Sequence, residues 1–577
     1  MAIVTPQHTD ELDQSDRTAL DVAVAGLAEG AARWAGLSLA QRAELIAATH
    51  AAVAPEADSW VELAVAAKAI PEGPLVGEEW ASGPFATMSG FGLMAKNLAT
   101  MAAGKSTFDK LKASTAPGGR VALRVFPSDV YDLLVLNGFE GRVWLKPGIT
   151  LEEAKANAGL GAKLVGENGG VGLVLGAGNI SSIAPLDVLY ELVAFNRATI
   201  LKLNPTFASL LGMYERALAP LIEAGVLRIV NGGAAVGGYL AQHPGVNHVH
   251  ITGSGVTHDA IVWGIGEEGE RRRAADDPVL KKPISSELGG VAPVIVVPGN
   301  WSERDLRFQA EHVVTMRMHN TGHNCIAAQV LVLSSDWPQR ERFLQLIGEV
   351  LDEMPAREAW YPGTERRVKA VEDVYPGAEH HGPGGQRLLV KLDADGPMDF
   401  CQNEVFGPAL GYITLPGSGR QFLDAGIAFA NDKLAGTLGA NVLIAPKDKR
   451  AMGAGFEESI VNLHYGTVGV NVWTALAFLG AGMPWGAFPG HTLQDVGSGI
   501  GVVHNAHLLD GTERAVVTGP FRPFPWSMLG GENSLAPKPP WFVTNKTEDV
   551  SSKRLTAFAA KPSFARLPGI FASAFRG

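Results

Sequence analysis

Cysteine is almost absent from this chain, which has only Cys325 and Cys401 among its 577 residues. Two cysteines cannot form a disulfide framework, so a reducing, cytoplasmic setting is expected. There is also no apolar run of about 18 residues or more, which argues against a transmembrane helix. Basic residues are fewer than acidic ones, 48 against 59. The resulting net charge of −11 argues against nucleic acid or an anionic membrane as the main partner.

The length of the chain exceeds what one hydrophobic core usually organises, so two or three domains are expected. Residues 1–16 are polar and acidic, match neither a signal nor a transit peptide, and predict a disordered leader. From residue 17 to 115 the pattern favours helices, with Ser38 as a helix cap and Pro55 as a helix stop. The segments 120–126, 130–135 and 141–145 then predict strands.

The central third of the chain alternates strands with helices. Strands are predicted at 170–175, 199–203, 227–230 and 246–252, with helices at 185–196, 209–224 and 236–243 between them. This alternation predicts a parallel sheet whose ligands bind at the carboxyl ends of its strands. Asn179, Lys202 and Ser254 each lie at or just past a predicted strand end, so all three are expected along one sheet edge.

Cys325 lies on a loop that follows a predicted helix at 301–319. A thiolate attacks carbonyl carbons well, but a lone cysteine is more often a small buried hydrophobe. Lys202 carries a charge on the otherwise apolar strand TILKL, which is unusual in a core and suits a ligand contact. These two residues are therefore candidates for chemistry and for binding.

Four further motifs accompany Cys325, with Asn320 and Gly322 just before it. The motifs are GAGN at 176–179, LKLNP at 201–205, TGSG at 252–255 with ELGG at 287–290, and NEVFGP at 403–408. Together they resemble the aldehyde dehydrogenase superfamily over residues 20–520. One glycine motif alone would be weak evidence, so the agreement in order and spacing carries the resemblance. The loop GAGNISS around Asn179 marks the chain as a divergent member.

The resemblance implies a catalytic set of three residues. Cys325 is similar to the nucleophile that converts an aldehyde into a thiohemiacetal and then a thioester. The Asn179 side-chain amide and the Cys325 backbone N–H resemble the donors to the oxyanion. Glu287 resembles the base that activates water to release a carboxylate.

The resemblance also implies a cofactor set and an NAD or NADP cofactor. Lys202 is similar to the lysine that contacts the adenosine ribose, and Gly253 and Ser254 to the turn that binds the pyrophosphate. Glu404 and Phe406 resemble the pair that holds the nicotinamide ribose and ring. No acidic residue follows Lys202 closely, so the sequence does not separate NAD from NADP.

The implied fold class is α/β. It has a Rossmann-type cofactor domain at 17–119 and 148–286, an α/β catalytic domain at 287–500, and a small β oligomerisation element. In that element, 120–147 pairs with a strand near 513–518. A homodimer or homotetramer acting on a small-molecule aldehyde is therefore expected.

Residues 501–577 are expected to form a last strand and a proline-rich, basic tail. Six prolines fall between 520 and 541, and residues 538–577 carry seven Lys or Arg against two acids. Such proline density is incompatible with a continuous helix. The tail either packs on the body or a neighbouring subunit, or it contacts a partner or a membrane surface.

Two other functions stay open. In a CoA-acylating enzyme, CoA rather than water takes the acyl group; Glu287 argues against this, while the divergent Asn179 loop keeps it open. A non-enzymatic scaffold of the same fold would need none of Cys325, Asn179 and Glu287.

Several remaining residues have an ordinary structural interpretation beside a functional one. His248 and His250 alternate on one strand and could bind a metal, but no third ligand has suitable spacing, so no metal site is predicted. Cys401 is interpreted as a small buried residue, and His323 as a loop residue that could tune the thiol. An aromatic-rich cluster either lines a substrate tunnel or forms core; its members are Trp473, Phe478, Met483, Trp485 and Phe488.

Overall fold

A computed structural model describes residues 12–577 of the chain. Most of the predicted leader, residues 1–11, lies outside the described residues. Its last residues are helical, because the first helix begins at Gln14 and the Asp13 carboxylate accepts from the backbone N–H of Asp16 at 2.8 Å. The prediction of a disordered leader through residue 16 is therefore wrong at its C-terminal end, where a side-chain cap starts a helix.

The strands are β1 Lys112–Ala116, β2 Arg120–Phe126, β3 Glu140–Leu145, β4 Val171–Leu175, β5 Ala198–Lys202, β6 Leu227–Val230, β7 His248–Gly253, β8 Ile284–Leu288, β9 Ala292–Val296, β10 Ala328–Ser334, β11 Glu379–His381, β12 Arg387–Lys391, β13 Ala409–Leu415, β14 Gly439–Leu443, β15 Thr467–Val470, β16 Gly499–Ile500 and β17 Thr512–Thr518.

The α-helices of the first half are α1 Gln14–Gly36, α2 Leu39–Ala67, α3 Gly77–Trp80, α4 Ala86–Ala102, α5 Val130–Val135, α6 Leu151–Asn157, α7 Ile183–Phe195, α8 Leu211–Ala217, α9 Ala219–Glu223, α10 Ala234–Gln242, α11 Gly255–Val262 and α12 Gly266–Ala274. Those of the second half are α13 Glu303–Met318, α14 Arg340–Glu353, α15 Thr364–Val374, α16 Asp399–Gln402, α17 Gly419–Lys433, α18 Pro446–Met452, α19 Ala454–Ile460, α20 Ala475–Leu479, α21 Trp526–Leu529, α22 Glu548–Ala560 and α23 Leu567–Ala574.

The first of two sheets has the strand order β16-β8-β7-β4-β5-β6, and its strands are parallel except for the short β16. Helices such as α7 connect its strands and cover it. The carboxyl ends of β4, β5 and β7 therefore meet at one edge, and Asn179, Lys202 and Ser254 lie there as predicted. Glu287 lies on β8 of this same sheet.

The second sheet has eleven strands in the order β1-β2-β3-β17-β15-β14-β9-β10-β13-β12-β11. Its central strands are parallel and strongly apolar, as expected for a sheet buried on both faces. The late strand β17 pairs antiparallel with β3, which confirms the predicted pairing of the 120–147 segment with a strand near 513–518. Because β17 also pairs with β15, this segment is continuous with the larger sheet.

Three local predictions are wrong. Residues 112–115, predicted as part of the helical segment, belong to strand β1, which pairs with β2. Residues 130–135 form the helix α5 rather than a strand, because the Asp129 carboxylate accepts from the backbone N–H groups of Tyr131 and Asp132 and caps a helix there. Helix α2 does not stop at Pro55 but continues to Ala67. Its buried face continues past the proline through Trp60, so packing outweighs a cost of about 3 kcal/mol for an interior proline.

The proline-rich, basic tail packs on the body of the molecule. Residues 520–541 contain only the short helix α21, as the proline density predicts, and α22 and α23 follow. Phe542, Phe558 and Ile570 are buried. The interpretation of a tail packed on the body is therefore confirmed. No helix in residues 12–577 is long and apolar enough to cross a membrane.

Candidate active site

Cys325 is presented by a strained turn between α13 and β10. After α13 the backbone of Asn320 and Thr321 is left-handed, with φ of 54° and 56°. Asparagine tolerates this conformation, whereas a β-branched threonine in it is a true outlier. Gly322 completes the turn at φ 78°, and a Cβ there would lie 2.5 Å from the carbonyl oxygen of Gly407. The turn places Cys325 half-buried beside the edge of the first sheet.

Hydrogen bonds to Asn320 hold this turn in place. The Asn320 side-chain amide donates to the carbonyl oxygens of Asn179 at 3.1 Å and His323 at 2.9 Å. The Trp360 indole donates to Asn320 Oδ1 at 3.1 Å. The Glu78 carboxylate accepts from the Asn320 backbone N–H at 3.1 Å. The backbone strain is therefore offset by contacts from three other parts of the chain.

Glu78 belongs to a buried cluster of charges that the sequence analysis missed. Arg357 donates to Glu78 at 2.6 Å, and both side chains are almost fully buried. Next to them, the buried Lys68 and Glu79 pair at 2.7 Å. Burial opposes ionisation of Glu78, but Arg357 lowers its pKa overall and keeps it charged. In sequence, Glu78 and Glu79 look like ordinary acidic residues at a helix start, so no local signal identifies them.

The tail contributes a carboxyl group to the same cluster. Both oxygens of Glu548, at the start of α22, are buried without a hydrogen-bond partner among the described residues. Burial and the charge of Glu78 raise the pKa of Glu548 well above its usual range. The raised pKa favours the protonated form of Glu548, which avoids a second negative charge beside Glu78.

Glu287 and Cys325 form the reactive pair of the site. The Cys325 thiol lies beside the Glu287 carboxylate, close enough for each group to shift the pKa of the other, and the Trp485 indole donates to Glu287 Oε1 at 3.1 Å. Burial raises the pKa of Glu287 to about 7. Burial and the neighbouring Glu287 charge raise the pKa of Cys325 well above the usual thiol value. At rest the thiol therefore keeps its proton, and Glu287 is placed to accept it.

Asn179 lies in the loop between β4 and α7, and hydrogen bonds join it to the turn that presents Cys325. Its Nδ2 donates to the carbonyl oxygen of His323 at 3.0 Å. A side-chain amide carries two N–H donors, and the other has no acceptor among the described residues. That donor is available to an oxygen bound near Cys325.

Glu404 lies across from this pair, against the Gly289–Gly290 turn. Burial raises the pKa of Glu404 to about 8, while the buried Arg317 and the Gly290 backbone N–H favour its charged form. A Cβ on Gly289 would lie 2.1 Å from a Glu404 carboxylate oxygen, so a larger residue there would displace this carboxylate. The structure thus places Glu404 close enough to Glu287 for the charge of Glu287 to raise the pKa of Glu404.

Phe406 and His323 belong to an aromatic cluster behind the turn. The Phe406 ring lies 4.9 Å from Tyr361 and 5.5 Å from His323 between ring centroids. His323 Nε2 hydrogen-bonds to Thr364 Oγ1 at 2.9 Å, and burial lowers its pKa to about 2. His323 is therefore neutral, and its hydrogen bond to Thr364 gives it a structural role behind the turn.

Lys202, Gly253 and Ser254 lie at the strand-end edge, where a dinucleotide would bind. Lys202 is 9% exposed, forms no ion pair with any described residue, and has its pKa lowered to about 8 by burial. Ser254 caps α11 by accepting from the Thr257 backbone N–H at 3.2 Å. A buried ammonium with no ion pair among the described residues and a helix N-terminus at the same sheet edge fit a polar, anionic ligand such as NAD or NADP.

The strand histidines have structural partners. His248 contacts Glu191 at 3.3 Å, while His250 contacts Asp187 at 3.5 Å and Ser285 at 2.8 Å. Within residues 12–577, no group of three or more metal-binding side chains is arranged to hold an ion. His248 and His250 are therefore structural residues of β7 that contact acidic side chains of α7.

The aromatic-rich cluster divides between the site and the core. Trp485 contacts Glu287, and Phe478 packs on Trp485 with ring centroids 5.5 Å apart. Phe488 instead stacks on His464 at 5.0 Å, away from Cys325. Cys401 is buried among apolar residues, as predicted. Trp485 and Phe478 therefore remain candidates for lining a substrate tunnel, whereas Phe488 does not.

Known proteins match the chain in sequence over part of its length. The family model described as the aldehyde dehydrogenase family matches residues 177–365. A Staphylococcus epidermidis protein whose name places it among the aldehyde dehydrogenases is 30% identical over 253 residues, 40% of this chain and 48% of that protein. A Staphylococcus aureus protein so named is 28% identical over 274 residues, 43% of this chain and 51% of that protein. The chain spans about half the length of these curated relatives.

Solved structures match over most of the chain. A Mycobacterium tuberculosis aldehyde dehydrogenase complexed with NAD⁺ superposes with a TM-score of 0.58 at 18% identity, covering 87% of this chain and 90% of that one. An NADP-dependent glyceraldehyde-3-phosphate dehydrogenase of Bacillus halodurans complexed with NADP gives 0.55 at 18% identity, covering 87% and 91%. Residues 177–365 thus carry the sequence pattern of the aldehyde dehydrogenase family within that family's fold, which confirms the resemblance predicted from the motifs.

Proposed function

We propose that the protein is an NAD(P)-dependent aldehyde dehydrogenase that oxidises an aldehyde to a carboxylate through Cys325. The observation that carries this proposal is the position of the Cys325 thiol beside the buried Glu287 carboxylate, to which the Trp485 indole donates at 3.1 Å. A nucleophile paired with a base is the arrangement that acyl chemistry on a thiol requires.

In the first step, Cys325 attacks the aldehyde carbon while Glu287 accepts the thiol proton. A sulfur–carbon bond forms, and the carbonyl electron pair moves to oxygen. The second N–H of the Asn179 amide and the Cys325 backbone N–H stabilise that oxygen. Such preorganised donors are worth about 10²–10³-fold each in rate.

The cofactor-binding residues in this proposal are Lys202, Gly253, Ser254, Glu404 and Phe406. When bound, NAD(P) supplies the hydride acceptor that converts the thiohemiacetal into a Cys325 thioester. Lys202 and the Gly253–Ser254 turn hold the adenosine and pyrophosphate portions at the edge of the first sheet. Glu404 and Phe406 hold the nicotinamide end beside Cys325.

Glu287 then acts as the base for hydrolysis. It first releases the thiol proton to solvent and then takes a proton from water as the oxygen attacks the thioester carbon. The sulfur–carbon bond breaks to release the product acid, which ionises to the carboxylate, and the Cys325 thiolate takes the proton back from Glu287. The pKa of about 7 makes Glu287 a stronger base than an ordinary carboxylate while leaving it largely ionised above neutral pH. The position of Glu287 beside Cys325 favours water over CoA as the acyl acceptor.

The chain is also proposed to assemble as a homodimer or homotetramer. At the end of the eleven-stranded sheet, β1 has an unpaired edge and mostly exposed side chains, and such an edge is a template for pairing with another chain. Light scattering tests the assembly, and a monomer at working concentrations would count against it.

The decisive experiment measures reduced cofactor formed by purified protein across a series of aldehydes, with NAD or NADP and with or without CoA. The proposal predicts turnover without CoA that is lost in Cys325→Ala and kept in the matched control Cys401→Ala. Turnover only with CoA would support the acylating alternative. Activity that survives in Cys325→Ala, or none in any condition, would contradict the proposal.

A further inference from the structure

The tail packs on the body at the short helix that supports the Cys325 turn. Helix α22 lies against α3, where the Thr556 hydroxyl donates to the carbonyl oxygen of Trp80 at 3.2 Å. The Lys553 ammonium lies 4.8 Å from the centre of the Trp80 ring. Because Thr556 is buried, this contact belongs to the interior of the molecule.

The two helices approach each other very closely at Gly77, the first residue of α3. A Cβ on Gly77 would lie 2.3 Å from Glu548 Cγ and 2.5 Å from the Glu548 carbonyl carbon. Non-bonded carbon atoms are ordinarily about 3.5–4.0 Å apart, so a side chain at position 77 would displace the first turn of α22. Glycine at this position therefore lets Glu548 reach the interior beside Glu78.

Glu548 faces the charged pair that holds the Cys325 turn. Arg357 and the Asn320 backbone N–H both donate to Oε2 of Glu78, at 2.6 and 3.1 Å. Among the described residues, no hydrogen-bond partner is found for Glu78 Oε1, for Nε and Nη2 of Arg357, or for either carboxyl oxygen of Glu548. Burial and the charge of Glu78 raise the pKa of Glu548, and Arg357 lowers it, so the three groups act on one another.

A neutral carboxyl group suits the position of Glu548. Arg357 and Glu78 already pair, as do the neighbouring Lys68 and Glu79 at 2.7 Å, so an additional buried anion would have no counter-charge of its own. A protonated carboxyl group has one O–H donor, and Glu78 Oε1 is an acceptor that no described residue uses. Glu548 therefore supports Glu78 through shape and hydrogen-bonding capacity, not through an ion pair.

The Cys325 turn needs a fixed position for Glu78 because the turn is strained. Left-handed backbone at Asn320 and Thr321 persists only where surrounding contacts impose it. Glu78 supplies one of these contacts by accepting from the Asn320 N–H. A shift of Glu78 would release Asn320 and move Cys325 relative to Glu287.

We propose that Glu548 is a positioning residue for the nucleophile: the tail inserts this carboxyl group beside Glu78 and thereby keeps the Cys325 turn in its reactive position. The inference rests on the proposed function of Cys325 in aldehyde oxidation. The contact lies outside the motifs behind the family resemblance, since Glu78 belongs to none of them and Glu548 follows residue 520, where the resemblance ends. Loss of the contact should impair Cys325 without removing any group that touches the substrate.

The first test removes the carboxyl group and then restores its shape. Glu548→Ala should lower kcat by about tenfold to a hundredfold, because a misplacement of about 1 Å can cost about 10²-fold, and it should change KM by less than about threefold. Glu548→Gln keeps the size and the neutral state, so its kcat should stay within about threefold of the wild-type value. A Glu548→Gln variant as slow as Glu548→Ala would overturn the inference.

Phe558→Ala is the control for a general loosening of the tail. Phe558 is buried on the same helix and packs on Tyr131, with ring centroids 5.3 Å apart, ten residues along the chain from Glu548. The substitution should lower the melting temperature but keep kcat within about twofold of the wild-type value. Equal losses of kcat in Phe558→Ala and Glu548→Ala would show that tail stability, not the Glu548 contact, determines activity.

Gly77→Ala tests the same contact from the body side. The added methyl group should push the first turn of α22 away and reproduce the loss of kcat seen in Glu548→Ala, although alanine is the better helix former. Gly26→Ala is the matched control, because Gly26 lies inside α1 and a Cβ there meets nothing within 4 Å. Gly26→Ala should keep the wild-type kcat, whereas a wild-type kcat in Gly77→Ala would contradict the inference.

Alkylation of Cys325 by iodoacetamide separates this inference from the proposed activity, because it needs neither aldehyde nor cofactor. Burial and Glu287 hold the pKa of the thiol well above its usual value, so a displaced turn should give a more acidic thiol. Alkylation at pH 8 should therefore be about fivefold or more faster in Glu548→Ala and Gly77→Ala than in the wild type. Cys401, followed by mass spectrometry in the same protein, should react at the wild-type rate.

The alkylation result and the activity result fail independently. Faster alkylation of Cys325 in the two variants of a protein that oxidises no aldehyde would refute the proposed activity and keep Glu548 as a positioning residue. Unchanged alkylation of Cys325, or an equal acceleration at Cys401, would refute the positioning role even if aldehydes are oxidised.

Discussion

Replacing Glu287 by glutamine tests the proposed base with little change in shape. The glutamine amide oxygen can still accept from the Trp485 indole, which now bonds Glu287 Oε1 at 3.1 Å. The side chain can no longer take a proton from the Cys325 thiol or from water. The substitution thus removes the chemistry and keeps the packing.

The expected size of the effect follows from the position and pKa of Glu287. General base catalysis is worth about 10²–10⁴-fold, so steady-state turnover should fall by that range in Glu287→Gln. With a pKa of about 7, the ionised fraction rises from about one-tenth at pH 6 to about nine-tenths at pH 8. Because the ionised form is the active base, wild-type turnover should rise about tenfold over that interval. This rise near neutral pH should be absent in Glu287→Gln.

The assay mixes the protein rapidly with aldehyde and cofactor at pH values from 5.5 to 9. It follows the absorbance at 340 nm, where reduced nicotinamide absorbs. Glu513→Gln is the control: Glu513 is another buried carboxylate, paired with Arg120 on the second sheet away from Cys325. It should keep the wild-type pH profile. Turnover of Glu287→Gln within about threefold of wild type, or an unchanged rise near pH 7, would refute the assignment of Glu287 as the base.

Three further substitutions test the donors, the cofactor edge and the loop support. Asn179→Ala should lower kcat by about 10²–10³-fold with a smaller change in KM, because its free donor acts on the oxyanion; an unchanged kcat would contradict this role. Lys202→Met should weaken NAD(P) binding in calorimetry by about tenfold or more, because the buried ammonium has no ion-pair partner among the described residues; unchanged affinity would remove Lys202 from the cofactor edge. Glu78→Gln should lower both kcat and the melting temperature, because it leaves Arg357 without its buried charged partner at a cost of about 3–5 kcal/mol. A melting curve identical to that of the wild type would show that the cluster does not support the turn.

Much of the first sheet could be predicted from sequence because β4 and β5 are mainly apolar runs and the strongly apolar helix α7 lies between them. The site residues on that sheet followed from strand ends and motif order, as with Asn179, Lys202 and Ser254. Local patterns failed where a tertiary contact or a cap decided the structure. Residues 130–135 became a helix through the Asp129 cap, and α2 continued through Pro55 because both sides of the proline are packed.

Long-range partners account for what the sequence analysis missed in the site. Glu78 reaches Asn320 across more than 240 positions of the chain, and Glu548 joins the same cluster from the tail. No spacing rule links such residues, since each looks like a common surface acid in its own segment. The tail was correctly expected to pack, but the residues that it faces, such as Gly77 beside Glu548, follow only from the folded chain.

The central claim is that Cys325 carries the acyl group during aldehyde oxidation. Mass spectrometry of protein quenched during turnover tests it directly, with Cys401 as an internal control because it is the other cysteine of the chain. The account predicts an acyl adduct on the peptide containing Cys325, whose mass follows the aldehyde used, with Cys401 unmodified. Turnover of the wild-type protein with no adduct on Cys325 at any quench time would contradict it.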